Sequence, residues 1–269
     1  MSRKLARPCL PVTAGFFPRV NSTHGVAGGP GRPEPPAPLP GPVSGLLFEI
    51  NNVLYDTTLW RRWLLQLLAR LGVQTHYRSF FHLWDHDYLD AVQRGQRTFC
   101  EAFREFLGTH GLSPGQIDEL EAACRCRRYG LQAEIRPLPG VKPTLQRLRS
   151  LGYGLGVVTN SEFSAEVLRQ RMRRFGLDEQ FDVVVSSWDL RRTMPDAACY
   201  RTACEVLELS PEQIAFVGCD APELDGAAAI GMATIRVGGD GPASADVRLD
   251  RFDAIVEAVE TSVSLAAAG

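Results

Sequence analysis

The stretch LLFEINNVLYDT, residues 46–57, decides the fold. Leu46, Leu47, Phe48 and Ile50 make a short apolar run after a Gly/Pro-rich segment, as expected of a parallel strand buried on both faces. A polar turn follows at the C-terminal end, which is where open α/β sheets place their sites.

Downstream of that turn, from about 57 to 135, the apolar period becomes helical. TTLWRRWLLQLLARLG (57–72) sets Leu59, Trp63, Leu64, Leu67 and Leu68 on one side with arginines between them, and Gly72 stops it. Further helices are expected at about 75–94, 96–109 and 113–131, the last opening on Ser113-Pro114. After Pro137-Leu138-Pro139-Gly140 the chain alternates strand and helix. Strands are expected at 153–160, 181–187, 213–218, 232–237 and near Val247–Leu249, with a closing helix at 253–261. This alternation implies a parallel sheet with right-handed crossovers. The expected architecture is α/β: a Rossmann-like three-layer sandwich built from 45–56 and 136–269, with an all-helical insertion at 57–135.

Residues 1–44 differ from the rest. GGPGRPEPPAPLPGP is dense in Pro and Gly, large apolar residues are few, and no acid precedes Glu34. Such a segment buries too little surface to offset its ordering entropy, so a disordered tail is expected over 1–44. Arg3, Lys4, Arg7 and Arg19 would also suit a transit peptide, but no amphipathic stripe or secretory apolar core accompanies them. Asn21-Ser22-Thr23 matches a glycosylation acceptor, which without a secretory signal reads as chance.

At 269 residues and 45% hydrophobic, the chain can bury a substantial core. A net charge of −2 gives no electrostatic case for nucleic acid or a membrane surface. No apolar run approaches the roughly 18–20 residues that span a bilayer. The seven cysteines are odd in number, scattered and without a C-x-x-C pair, which suits reduced thiols in the cytoplasm. Cys124 and Cys126, two apart on a helix, point to different sides.

Four further sets of residues carry chemistry. Thr159-Asn160 ends a strand and offers a hydroxyl and a backbone N–H that together suit one phosphate oxygen, though Thr-Asn is also simply a good turn. Thr193-Met194-Pro195-Asp196 precedes Tyr200 at the start of a helix. In AFVGCDAPELDGAAAIGM (215–232), Asp220 and Glu223 lie at i, i+3 and suit one hard cation. They equally suit an N-cap and a first-turn acid, and Asp225 is a weaker third candidate. His82, His86 and Asp90 share a helix face at i, i+4, i+8, a metal-ligand spacing that also describes a plain polar face.

Together these segments resemble the haloacid dehalogenase-like hydrolase superfamily, whose first motif reads D-x-D-G-T/V-L. Here the two acids are Glu49 and Asn51, the glycine is Asn52, and Val53, Leu54 and Asp56 continue the likeness. VVTN at 157–160 matches the second motif unchanged. The third motif places a lysine before Pro-Asp, where this chain has Met194. The fourth has acids followed by G-A-x-x-x-G-M, matched by Gly226-Ala227 and Gly231-Met232, with Cys219 where many members carry the first acid. The resemblance makes the helical insertion a cap over the active site and a phosphorylated small molecule the natural partner. It also implies Mg²⁺ held by Glu49, the Asn51 carbonyl, Asp220 and Glu223.

The replacements bear on that activity. Glu49 keeps the charge of a nucleophile but adds a methylene, and misplacement by about 1 Å can cost on the order of 100-fold. Asn51 cannot act as a general acid or base at neutral pH. A lysine at Met194 would contribute on the order of 4 kcal/mol to a carboxylate about 4 Å away, and Arg191 or Arg192 would need a different reach to replace it. The expected substrate-binding residues are Thr159, Asn160 and Arg192, and three readings follow: a hydrolase scaffold with little or no activity, an Mg²⁺-dependent phosphatase using Glu49 with an arginine in place of the lysine, or a non-catalytic module binding a metabolite or protein.

Overall fold

The computed structural model describes residues 37–56, 59–73, 75–238 and 244–268. Among them, strands β1 (Gly45–Phe48), β2 (Gly154–Thr159), β3 (Val183–Ser186), β4 (Ile214–Gly218), β5 (Ala233–Val237) and β6 (Val247–Leu249) form one sheet in the order β3-β2-β1-β4-β5-β6. Every pairing is parallel. The central β1 adjoins the point where strand order reverses, so its C-terminal end opens into the crevice such sheets use for ligands.

Both faces of the sheet are covered, which is why β1 is apolar throughout. Leu46 and Phe48 join one core with residues of α6 (Val141–Ser150), α7 (Ala165–Arg173) and α11 (Ala254–Ala268). Leu47 points the other way, into a core with α9 (Ala197–Leu207) and α10 (Ala221–Ala229). Each such side chain, fully buried, contributes roughly 1.5–3 kcal/mol.

Between β1 and α6 the chain is helical: α1 (Leu59–Arg70), α2 (Tyr77–Leu83), α3 (Asp90–Gln93), α4 (Phe99–Thr109) and α5 (Pro114–Glu134). α2 runs into α3 through a π-helical turn, Trp84–Leu89. The amphipathic spacing of these helices gives them a core of their own, with Leu64, Leu68, Phe80, Trp84, Phe103 and Phe106 at its centre. Thr98 and Glu101 form a capping box that starts α4. The two connections to the sheet lie side by side, since Tyr55 bridges Pro137 and Leu138 N donates to Leu54 O at 2.8 Å.

The expected disordered tail needs correction at its end. Residues 1–36 lie outside the described residues, but Leu39 and Val43 are buried in the core that holds Ile255, Ala258 and Val259. Leu39 N donates to Ser262 Oγ at 2.8 Å, and Ser44 N donates to Gln213 O at 2.7 Å. Two apolar side chains among prolines suffice to seat this segment, because its backbone finds partners at Gln213, just before β4, and on α11.

Candidate active site

β1 carries Glu49 to the edge of the sheet, where it is 1% exposed. Its Oε1 accepts three hydrogen bonds, from Asn51 N (3.0 Å), Asn51 Nδ2 (2.7 Å) and Thr159 Oγ1 (2.7 Å). Oε2 is buried without a hydrogen-bond partner. Burial pushes the carboxyl up to about 7, against the pull of the Asn51 N–H and the Thr159 hydroxyl, and the charge of Asp220 pushes it further. The turn after β1 closes without glycine because Asn52 takes φ +59°, the left-handed region that Asn tolerates.

Asn160, next to Thr159 at the end of β2, binds two partners. Its Oδ1 accepts from Met194 N at 2.8 Å, while Nδ2 lies 3.2 Å from both Met194 O and Glu223 Oε1. Glu223 Oε2 is buried and unpartnered. Burial holds this acid well above the usual carboxylate range, and the charges of Glu49 and Asp220 add to it while the Asn160 amide opposes. Tyr200 fixes the first turn of α10 by donating to Glu223 O at 2.7 Å. Gly226 belongs to the same packing, since a Cβ there would meet Pro195 Cβ at 2.5 Å.

The sequence left open whether an arginine stands in for the lysine that the resemblance implies at Met194. Met194 itself is 5% exposed and packs in the apolar core with Tyr200 and Leu224. Arg192, expected as a substrate-binding residue, pairs instead with Asp196 at 2.8 Å and is absent from the cleft walls. Arg191 takes φ +59°, lies over the Trp188 ring and donates to the carbonyls of Arg94 and Gly95. Both guanidiniums point away because their own neighbours satisfy them.

Arg191 is also part of a connection between distant segments that residue spacing does not reveal. Thr193 Oγ1 donates to Asp90 Oδ1 at 2.7 Å, Ser187 Oγ to Gln93 O at 2.9 Å, and Gln93 Nε2 to Asn160 O at 3.4 Å. Residues 90–95 of the helical insertion are thereby fastened to the end of β2 and to α8 (Ser187–Leu190). Sequence spacing placed Asp90 on a polar helix face but offered nothing about its partner.

Asp220 stands at the N-cap of α10 without making a side-chain cap hydrogen bond. Asp225 is exposed and accepts from Ser244 at 2.9 Å. Cys219 Sγ donates to the Asn51 carbonyl at 3.7 Å, and burial, with Asp220, Glu223 and Glu49 around it, drives the thiol pKa strongly upward. His82 and His86 are exposed, their ring centroids 4.4 Å apart, and the Asp85 between them pairs with Arg61. Cys124 is buried and Cys126 exposed. Among the described residues no three His, Cys, Asp or Glu side chains gather closely enough to hold one metal ion.

Some of the residues of the site line a cleft of about 610 Å³. Asn51, Thr159, Asn160, Asp220 and Glu223 come from the sheet edge, and Trp60, Arg61, Tyr77, Asp85, Gln93 and Phe99 from the helical insertion. Arg61 is held by Asp85 through two hydrogen bonds of 2.8 and 2.7 Å. Arg171, on α7, lies 3.6 Å over the Phe163 ring. No helix among the described residues is long and apolar enough to cross a membrane.

A six-stranded parallel sheet covered by helices, with a helical insertion after its first strand and a polar cleft lined by both, is a Rossmann-like α/β architecture. The family model for haloacid dehalogenase-like hydrolases matches residues 43–231, and the chain belongs to that family. It is 27% identical to (S)-2-haloacid dehalogenase 4A of Burkholderia cepacia, over 66% of this chain and 68% of that one. It is 34% identical to glyceraldehyde 3-phosphate phosphatase of Methanopyrus kandleri, over 72% and 84%. In fold it resembles a predicted phosphoglycolate phosphatase from Haemophilus somnus, with a TM-score of 0.60 and 18% identity, covering 80% of this chain and 97% of that one.

Proposed function

We propose that this chain is a haloacid dehalogenase-like protein with little or no phosphatase or dehalogenase activity, whose cleft serves to bind. The observation that carries this reading is the state of Glu49. One oxygen is committed to three donors, the carboxyl is buried with its pKa lifted to about 7, and no lysine neutralises it. A nucleophile in this setting is partly protonated and held back from attack. Loss of a nucleophile alone removes about six decades of rate in the protease case, and here the proton shuttle and the lysine are replaced as well.

The residues present do not fit a resident Mg²⁺ of the family's kind. Such an ion wants several hard oxygens at one point. Asp220 is exposed, Cys219 replaces an acid with a protonated thiol, and that thiol already occupies the Asn51 carbonyl. The cysteines among the described residues that carry no disulfide support a reducing cytoplasm as the place of action.

One observation favours a second reading, an active phosphomonoesterase. Thr159 and Asn160 keep their places beside Glu49, whose Oε2 has no hydrogen-bond partner. The test is release of phosphate from a generic phosphomonoester, and of halide from a 2-haloacid, with and without Mg²⁺. Rates equal to those of Glu49→Ala support the binding role, and Mg²⁺-dependent turnover lost in that variant establishes the second reading.

A further inference from the structure

The cleft carries a charge pattern that a phosphate site would not. Acids outnumber arginines on its walls five to two, and one of the two arginines, Arg61, is spent bidentately on Asp85. The position of the family's lysine is the apolar Met194, and Arg191 and Arg192 are engaged elsewhere. An approaching phosphate meets more acids than cations, and the second arginine, Arg171, lies over the Phe163 ring.

Glu223 supplies the second observation. It lines the cleft at 8% exposure, and its Oε1 is held by Asn160 while Oε2 has no partner. An unpaired buried carboxylate oxygen is costly unless a donor or a cation reaches it. Beside it Asp220 stands at the cleft with no cap hydrogen bond to occupy it. No third donor joins them at metal-binding distance, whereas the cleft, at about 610 Å³, has the volume of an organic-ligand site. Aromatic side chains of the helical insertion also line it, among them Trp60 and a Tyr77 that is 40% exposed. Such rings favour cations and apolar bodies.

We propose that this cleft binds an organic cation, a primary ammonium on an aromatic or alkyl body, with its N–H groups on Glu223 and Asp220 and its body against Trp60 and Tyr77. The ammonium offers three donors and no acceptor, which suits the buried, unpartnered Oε2 of Glu223 together with the exposed carboxylate of Asp220. The proposal rests on the binding role given to the site above.

The test is calorimetric titration of the full chain with phenethylammonium, with its neutral isostere 2-phenylethanol, and with 2-phenylethyl phosphate. The ammonium is expected to bind at least about tenfold more tightly than the alcohol, the scale of a charge-assisted hydrogen bond, and the phosphate ester more weakly than either. Glu223→Gln and Asp220→Asn should each weaken the ammonium about tenfold and leave the alcohol unchanged, with melting curves showing that the variants fold. Equal binding of ammonium and alcohol, tighter binding of the phosphate ester, or no saturation by millimolar ammonium overturns the proposal. Hydrolysis of 2-phenylethyl phosphate lost in Glu49→Ala would instead sink the non-hydrolytic reading, whichever way the ammonium titration falls.

Discussion

Asn160 closes on the backbone of Met194 from both sides, its Oδ1 accepting from Met194 N at 2.8 Å and its Nδ2 donating to Met194 O at 3.2 Å. The main chain at this position is thus held to the sheet edge whatever side chain it carries. A lysine there would have its ammonium near the carboxylates, but methionine turns into the apolar core. The segment keeps its place at the sheet edge while the Met194 side chain contributes no charge to it.

Asn160→Ala should lower stability by about 2 kcal/mol in urea denaturation, since it leaves buried polar groups of Met194 and Glu223 short of partners. Asn160→Asp should cost more, because it adds a further acid beside Glu223. An unchanged midpoint in both variants would mean that these hydrogen bonds do not hold the segment.

The pKa of Glu49 gives stability a pH dependence of known sign. Its carboxyl is lifted from 4.5 to about 7 on folding, so between those values the folded chain keeps a proton that the unfolded chain has released. Stability therefore falls as pH rises through this window and levels off above about 7. Glu49→Gln removes that dependence, so the variant should gain on the parent chain from pH 5 to pH 8, by no more than about 3 kcal/mol. Parallel stability curves would place the Glu49 carboxyl in water.

Leu39→Ala should lower stability by about 2–3 kcal/mol, because it opens a cavity in the core against α11. Ser262→Ala should cost about 1 kcal/mol through the lost partner of Leu39 N. Thermal melts of the full chain decide both, and unchanged melting temperatures would mean that the segment before β1 adds nothing to the core.

Restoring catalysis should take four substitutions. Glu49→Asp, Asn51→Asp and Met194→Lys return nucleophile, proton shuttle and charge, but Cys219 still blocks the Asn51 carbonyl. Met194→Lys alone should destabilise by about 2–3 kcal/mol, because the methionine side chain that fills the apolar core is withdrawn from it. The triple variant should remain inactive, and adding Cys219→Asp should give measurable Mg²⁺-dependent phosphatase activity, because residues acting as one unit are strongly non-additive. Activity in the triple variant would remove Cys219 from the account.

The sheet was legible in the sequence because each of its strands is a short apolar run between turn residues, and the helices because Leu and Trp recur at helical spacing from Leu59 onward. VVTN and the Gly226-Ala227 pair were legible as positions for the same local reason. What stayed hidden depends on contacts between distant segments. Leu39 finds α11 across 223 residues of separation, and Asp90 finds Thr193 across 103. Arg192 reads in sequence as a near neighbour of the site, but a guanidinium follows its nearest carboxylate, here Asp196 four residues on. The i, i+3 spacing of Asp220 and Glu223 did not distinguish cap from ligand, and the absence of a cap hydrogen bond at Asp220 is visible only in three dimensions.

The most direct measurement is covalent trapping at Glu49. The protein is incubated with acetyl phosphate and Mg²⁺, quenched in acid and read by intact and peptide mass spectrometry, with Glu49→Ala alongside. The account predicts no phosphoryl adduct in either protein, because the carboxyl is bound by Asn51 and Thr159 and held partly protonated. A phosphoryl adduct mapped to Glu49 and absent from the variant would contradict it.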